Sequence, residues 1–242
     1  VRSGLKTIKD TQAGQPLEIT FGGDELLLDP AGILIIKSIN ALVVADLHLE
    51  KGSSFARRGQ FLPPYDTAAT LARLTALVDK YNPSIIVSLG DSFHDDEASH
   101  RLSDSTLETL QTMTHERQMV WITGNHDPSP PSHLPGQCYE ELAIGKIVLR
   151  HIPDTSYKGH EISGHLHPCA QIQVRGKKVR RACFACDGAR MIMPSFGVLT
   201  GGLNLADRAF NGLFHSAKLR AYMQGKDKVF PISSENIIGL RR

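Results

Sequence analysis

Cysteine is scarce in this chain: four residues in 242 (Cys138, Cys169, Cys183 and Cys186), too few to make a disulfide scaffold of a protein this long. Charge of either sign is not in excess. Lys and Arg number 27 against 25 Asp and Glu, a formal net charge of +2 with a pI near 8.4, which admits an anionic substrate without announcing a nucleic-acid binder. No stretch approaches the roughly 18 uninterrupted apolar residues of a membrane span. The start, Val1-Arg2-Ser3-Gly4, lacks the long apolar segment of a secretory signal, so a soluble, cytoplasmic protein with no membrane partner is the expectation. Internal repeats, low-complexity linkers and heptads are missing too. With 41% hydrophobic residues the chain can bury one sizeable core, and a single domain over 1–242 is expected.

The chain does have a series of polar groups, each at the end of an apolar run. Ala41-Leu42-Val43-Val44-Ala45 delivers Asp46-Leu47-His48, Ile85-Ile86-Val87-Ser88-Leu89 delivers Gly90-Asp91, Met119-Val120-Trp121-Ile122-Thr123 delivers Gly124-Asn125-His126-Asp127, and Glu161-Ile162-Ser163 delivers Gly164-His165-Leu166-His167. The first of these runs is apolar without alternation, as a strand covered on both faces should be, and Ile33-Leu34-Ile35-Ile36 precedes it as another strand. Apolar residues at Ala68, Leu71, Leu74, Val78 and Tyr81 predict a helix over 68–82, with Asp66 or Thr67 capping its start and Pro83 closing it. A second helix is expected over 102–115. Strand, helix, strand succession predicts a parallel run with the polar groups on its C-terminal edge. In the second half, short strands over 144–149, 161–163, 171–174, 178–185 and 190–193, with a turn at Arg175-Gly176-Lys177, predict a mostly antiparallel second sheet packed on the first. The stiff loop Pro128 to Gly136 is expected to wall the site.

Asp, Asn and His supply hard oxygen and borderline nitrogen donors, which suit Mn, Fe, Zn or Mg better than a thiolate site would. In Asp46-x-His48 and His165-x-His167 alternate residues of an extended segment project to one side, so each pair can approach one ion. Any one of these groups alone is what a turn supplies; four at strand ends make a metal site. Cys183-Phe184-Ala185-Cys186 is half a zinc-knuckle spacing without a second half and reads as core thiols, a redox or structural-metal role being the other reading. Arg57 and Arg58 follow His48 closely enough for a guanidinium to reach a phosphate, or form a solvated loop. Arg175, Lys177, Lys178, Arg180 and Arg181 make the densest basic cluster, which either tracks a nucleic-acid backbone or protects a sheet edge. His94, three residues past Asp91, is a candidate to line the pocket. Ser195, near Gly197 and Gly201-Gly202, is a candidate to help close it.

Together the four groups resemble the calcineurin-like metallophosphoesterase superfamily, whose motifs run D-x-H, G-D, G-N-H-D, an isolated His and G-H-x-H. The resemblance implies a four-layer α/β/β/α metallophosphoesterase sandwich with two mixed β-sheets and a dinuclear centre at the sheet edges. His151 best supplies the isolated histidine, since it follows a strand, whereas His160 opens one. Carried over residue by residue, one ion takes Asp46, His48, Asp91 and His167, the other Asp91, Asn125, His151 and His165, and Asp91 bridges. Hydroxide shared between the ions would attack phosphorus in line, Asn125 would hold a non-bridging oxygen, His126 would sit beside the leaving oxygen, and Asp127 would fix the His126 tautomer. A narrower likeness, from about Ala41 to Gly202, is to the bacterial ligase-associated DNA-damage-response phosphoesterases of the PdeM group. It rests on Ala45 to Gly52, Arg57-Arg58-Gly59, Pro63 to Thr67, Leu89 to Asp95, Gly164 to Pro168 and Pro194 to Gly202. That likeness implies two Mn ions, a DNA phosphodiester substrate with Arg57, Arg58, His94, Arg180 and Arg181 as binding residues, and partnership with a DNA ligase and a repair helicase. A small-molecule phosphodiesterase or nucleotide-type pyrophosphatase, with a lid between Phe93 and His115, is the alternative enzyme. A non-enzymatic scaffold is the third reading.

Overall fold

The computed structural model describes residues 15–63, 65–129 and 133–240. The opening segment and Pro130 to Ser132 of the proline-rich loop thus lie outside the described residues. The first sheet runs in the order β1 (Leu17–Phe21), β2 (Asp24–Leu28), β3 (Leu34–Ile36), β4 (Ala41–Val44), β5 (Ile85–Leu89), β6 (Gln118–Ile122) and β7 (Gln137–Tyr139). It is antiparallel up to β4 and parallel from β4 to β7. Helices α1 (Lys51–Arg57) and α2 (Asp66–Tyr81) lie between β4 and β5, and α3 (Asp104–Thr114) between β5 and β6, so the expected crossover grammar holds. The second sheet comprises β8 (Glu141–Ile144), β9 (Ile147–Arg150), β10 (His160–Ser163), β11 (Pro168–Val174), β12 (Lys177–Cys186), β13 (Arg190–Ile192), β14 (Leu203–Asn204), β15 (Arg220–Gln224) and β16 (Val229–Ser233). Its pairings are mostly antiparallel, but β9, β10 and β13 pair in parallel, so both sheets are mixed.

Alternation along each strand sorts the core into layers. Ala41 and Val43 of β4 face β9, β10 and β13 of the second sheet, meeting Leu149, Ile162 and Met191. Leu42 and Val44 face the helices, packing with Leu71, Leu74 and Val78 of α2 and Leu110 and Met113 of α3. In β12, Phe184 and Cys186 point to the inter-sheet core, while Cys183 and Ala185 point outward under Phe210, Leu213 and Leu219. The outer layer over the second sheet consists of loop and short 3-10 turns at Arg208–Phe210 and Ser234–Asn236. Each fully buried Leu or Ile in these layers contributes about 1.5–3 kcal/mol. No helix among the described residues is long and apolar enough to cross a membrane.

Local chemistry explains three departures from the sequence expectations. Asp66 and Thr67 do not cap α2, whose N-cap is Tyr65. The Asp66 carboxylate instead accepts from the Gly52 N–H at 3.0 Å, and the Thr67 hydroxyl accepts from the Glu50 N–H at 2.7 Å and donates to the Glu50 carboxylate at 3.0 Å. Those bonds fasten α1 to α2, which is why Gly52-Ser53-Ser54, poor helix formers, are helical at all. Residues 144–149 are not one strand, because Gly145 at φ 57 opens a turn between β8 and β9. The β1–β2 hairpin, turning at Gly22-Gly23 with both glycines at positive φ, adds two strands to the front of the first sheet.

Candidate metal centre

Strand ends from both sheets converge on one edge. Asp46 and His48 leave β4, Asp91 leaves β5, Asn125 and His126 leave β6, His151 leaves β9, and His165 and His167 leave β10. Backbone bonds hold the loops in register: the Asp46 N–H donates to the Gly90 carbonyl at 3.2 Å, and the His48 N–H to the Asp91 carbonyl at 2.9 Å. The His165 N–H donates to both Asp46 carboxylate oxygens at 3.1 Å, and the His126 N–H to Asp91 Oδ1 at 2.9 Å. Asp46, His48, Asp91, His165 and His167 all have left-handed φ, between 45° and 71°. That conformation costs a non-glycine residue about 1 kcal/mol or more, and it turns the side chains back over the sheet edge.

Two glycines make the convergence possible. A Cβ on Gly90, at φ 75, would stand 2.3 Å from the His151 ring, and one on Gly124 would stand 2.2 Å from both the Asp91 nitrogen and Asp91 Oδ1. Both positions admit no side chain without moving a residue of the cluster.

The donor atoms fall into two sets, Asp46 with His48 and His167, and Asp91 with His151 and His165, each within 4.8 Å. Asp91 lies between them, with Oδ2 3.8 Å from His48 Nε2 and Oδ1 3.2 Å from His151 Nε2. The donor set fits divalent cations on several grounds. His48 Nδ1 and His167 Nε2 are buried without a hydrogen-bond partner among the described residues, although His167 Nε2 stands 3.1 Å from Asp46 Oδ1 out of bonding alignment. At His151 the ring Nδ1 faces the Leu89 carbonyl at 3.2 Å. A carbonyl only accepts, so Nδ1 carries a proton, and Nε2 is turned toward Asn125 Oδ1, 3.0 Å away, and Asp91 Oδ1. Donor atoms of His151, Asn125 and Asp91 meeting at one point call for a positive charge, which a divalent ion or a ring proton supplies.

The electrostatics agree. Burial works against a charged His151, yet the hydrogen bond to Asp91 and the charges of Asp46 and Asp91 outweigh it and raise its pKa, so that a proton would take the cation's place. Burial likewise opposes the Asp91 carboxylate, but the His151 bond and charge and the His126 N–H hold its pKa well below the usual range. Burial pushes His48 down to about 3, keeping it a neutral donor, and lowers His165 as well.

A third set, His48, His94 and His126, shares His48 and lies on the solvent side. The His94 and His126 rings stack at 5.3 Å, and His126 Nδ1 faces the His94 carbonyl at 3.0 Å. Burial, with help from the Lys51 charge, pushes His94 down to about 4. Asp127 is not the partner of the His126 ring. Its buried carboxylate accepts from the N–H groups of Phe93 and Gly124, both at 3.1 Å, so the His94 carbonyl, not Asp127, orients the imidazole. Burial pushes Asp127 up to about 7.

Of the basic candidates, Arg58 lies near enough for its charge to lower His94, and Arg57 sits exposed beside it at the end of α1. The Arg175 to Arg181 cluster divides. Arg180 Nη2 donates to the Gly202 carbonyl, beside the His167 backbone, whereas Arg181 turns to the Arg180 carbonyl. The hairpin tip, from Arg175 to Lys178, lies about 20 Å along the strands from His167 and is exposed. Ser195 Oγ donates to the Gly201 carbonyl at 3.3 Å and closes its own loop. His160 packs edge-on against Phe21 at the far end of β10. Lys51, whose Nζ donates to the Leu199 carbonyl at 3.1 Å, was not legible as a site neighbour; nothing in Glu50-Lys51-Gly52 signals that the chain turns back there. Cys169, Cys183 and Cys186 are buried free thiols, and burial pushes Cys186 up to about 12.

The family model described as calcineurin-like phosphoesterase matches residues 39–173. Among solved structures, nuclease MPE from Pseudomonas putida is similar with a TM-score of 0.69 and 28% identity, covering 90% of this chain and 100% of that one. AQ665 from Aquifex aeolicus, a protein of unknown function, aligns at a TM-score of 0.39 and 17% identity over 52% of this chain and 78% of that one. Yfce, a phosphoesterase from E. coli, aligns at 0.37 and 16% identity over 82% and 96%. No curated protein sequence matches the chain.

Proposed function

This chain belongs to the calcineurin-like phosphoesterases, and from that premise we propose that it is a phosphodiesterase acting on DNA through two divalent ions, Mn foremost and Fe, Zn or Mg as alternatives. The observation that carries the proposal is the position of Asp91 between the two three-residue sets, within 4 Å of a histidine of each. Asp46, His48 and His167 would hold one ion, Asn125, His151 and His165 the other, with Asp91 shared. Two such ions supply Lewis acidity that generates a nucleophile from water near neutral pH and offsets charge on the phosphoryl oxygens.

The chain's own groups do the rest. His126, with Nδ1 on the His94 carbonyl and Nε2 4.0 Å from Asp91 Oδ2, stands on the open side, where as an imidazolium it would donate through Nε2 to the leaving oxygen. The Asn125 side chain adds a polar group for a non-bridging oxygen. Asp127 acts at one remove, by tying the loop after Asp91 to Gly124, and is a positioning residue. The segment between Phe93 and His115, which the small-molecule alternative would use as a lid, is tied down: Arg101 forms a two-pronged pair with Asp95, both contacts at 2.8 Å, and also donates to Ser53 Oγ at 3.0 Å. That pins the segment to α1. A fixed segment favours the polymer reading over a closing lid, and the likeness to a nuclease supports the same substrate class. A single domain over 1–242, a cytoplasmic location and association with a DNA ligase and a repair helicase belong to the same proposal.

The test is hydrolysis of a chromogenic diester, the matching monoester, and single-stranded and nicked DNA, each with Mn, Fe, Zn or Mg and with chelator. Diester and DNA cleavage that depends on metal is expected. Preference for the monoester, or turnover that survives chelation, would overturn the reading.

A further inference from the structure

Two large aromatic side chains stand in solvent between α1 and α2 with no core to fill. Phe61 is 89% exposed and Tyr65 is 72% exposed, more than any other large apolar side chain among the described residues, and two such rings four residues apart can act as one patch. Both precede α2, and Tyr65 is fixed at its N-cap, because its carbonyl accepts the first helical bond, from the Ala69 N–H at 2.9 Å. The element next to them is α1, whose Phe55 packs on His94 at 5.6 Å between ring centroids, and His94 stacks on His126. α1 thus forms a wall that carries Phe55 toward His94 and His126, and Phe61 borders it across a cleft lined by Ser53 and Ala56. The wall is cationic. Lys51 and Arg58 are close enough for their charges to act on His94, Arg57 and Arg58 are exposed, and no side-chain hydrogen bond or ion pair engages either among the described residues. The acidic groups at the starts of α2 and α1 are engaged elsewhere: Asp66 takes the Gly52 N–H, and Glu50 takes the Thr67 hydroxyl.

We propose that Phe61 and Tyr65, with Arg57 and Arg58, form a stacking shelf for nucleobases of the polynucleotide on one side of the cleaved phosphodiester. The proposal rests on the phosphodiesterase reading and assigns to these residues the recognition of bases. Unpaired bases present flat π-faces to Phe and Tyr, and guanidinium groups alternate with them to meet the phosphates. Charge complementarity favours this occupant over a protein surface, since the free cations match a polyanion.

The experiment measures binding of a fluorescent thymidine oligonucleotide, and of an abasic oligomer of the same length, by anisotropy. It compares the wild type with Phe61→Ala/Tyr65→Ala and with the conservative Phe61→Trp/Tyr65→Phe; thermal melting verifies folding. The alanine pair should weaken binding of the base-bearing strand about tenfold, leave the abasic strand unchanged, and be rescued by the aromatic pair. Equal affinity of wild type and alanine pair for the base-bearing strand would overturn the shelf, and so would an equal loss on both oligomers. Loss of self-association in the alanine pair with oligonucleotide binding intact would assign the rings to a protein interface and overturn it likewise. If the wild type binds as expected but cleaves no DNA, the shelf stands and the phosphodiesterase reading fails; if it cleaves DNA and the alanine pair binds and cleaves equally, the reverse holds.

Discussion

Gly124→Ala adds one methyl group and should disable the centre. The backbone at Gly124 is not left-handed, so alanine carries no conformational penalty there; the effect is steric alone. The new Cβ would stand 2.2 Å from the Asp91 nitrogen, 2.2 Å from Asp91 Oδ1 and 2.6 Å from Asp127 Oδ1, where real Cβ contacts keep at least 3.0 Å. Relief therefore needs a displacement close to 1 Å, and it cannot be shed into a flexible side-chain end, because the obstacle includes backbone and the carboxylate proposed to bridge the ions. A misplacement of about 1 Å in a reacting constellation costs on the order of a hundredfold in rate. Diester turnover in Mn should fall by that factor or more, and calorimetric titration should show weakened binding of at least one ion. Gly201→Ala is the matched control, since a Cβ there meets nothing within 4 Å; its turnover and metal affinity should equal the wild type. Wild-type kcat and stoichiometry in Gly124→Ala would refute the steric argument and with it the placement of Asp91.

Asp91→Asn should lower diester turnover on the order of a thousandfold with the melting temperature kept; unimpaired rates with both ions bound would remove Asp91 from the bridging position. His151→Ala should reduce bound metal from two equivalents to one by elemental analysis, while His160→Ala, altering a ring packed on Phe21, should leave two; the opposite result would exchange the two assignments. The Arg101 bond holds Asp95 down to about 2, below an unfolded value of about 3.9. This depressed carboxylate contributes stability above about pH 4 that is lost as pH falls through about 2, and the contribution is under about 1 kcal/mol because the pair is solvent-screened. Between those pH values Arg101→Leu should lose less denaturation midpoint than the wild type in urea titrations; parallel losses would deny the linkage.

The edge that gathers the candidate ligands was legible because each group is contiguous in sequence and follows a strand with an apolar run. β4, β5 and β6 gave three of the four groups, and the position of His151 after β9 separated it from His160. Other features depend on contacts between distant segments. α1 exists because Asp66 and Thr67 of α2 bond across to Gly52 and Glu50, and neither bond has a periodicity to read. Splitting of the 144–149 run was readable in principle from Gly145-Lys146, and the front hairpin from Gly22-Gly23. Asp127 was misdirected by adjacency: following His126 directly, it looked like its partner, yet successive residues in an extended turn point apart, which sent the carboxylate to Phe93 and Gly124.

Five of the seven proposed ligand positions, Asp46, His48, Asp91, His165 and His167, occupy backbone that glycine would adopt at less cost. A lineage released from the need for turnover would therefore tend to gain robustness at those places as it lost chemistry, and a failed enzyme would be the sturdier protein. Selection of this chain for heat tolerance would be drawn to the same five positions, so that survivors of such a screen would be enriched in inert variants unless turnover were selected alongside.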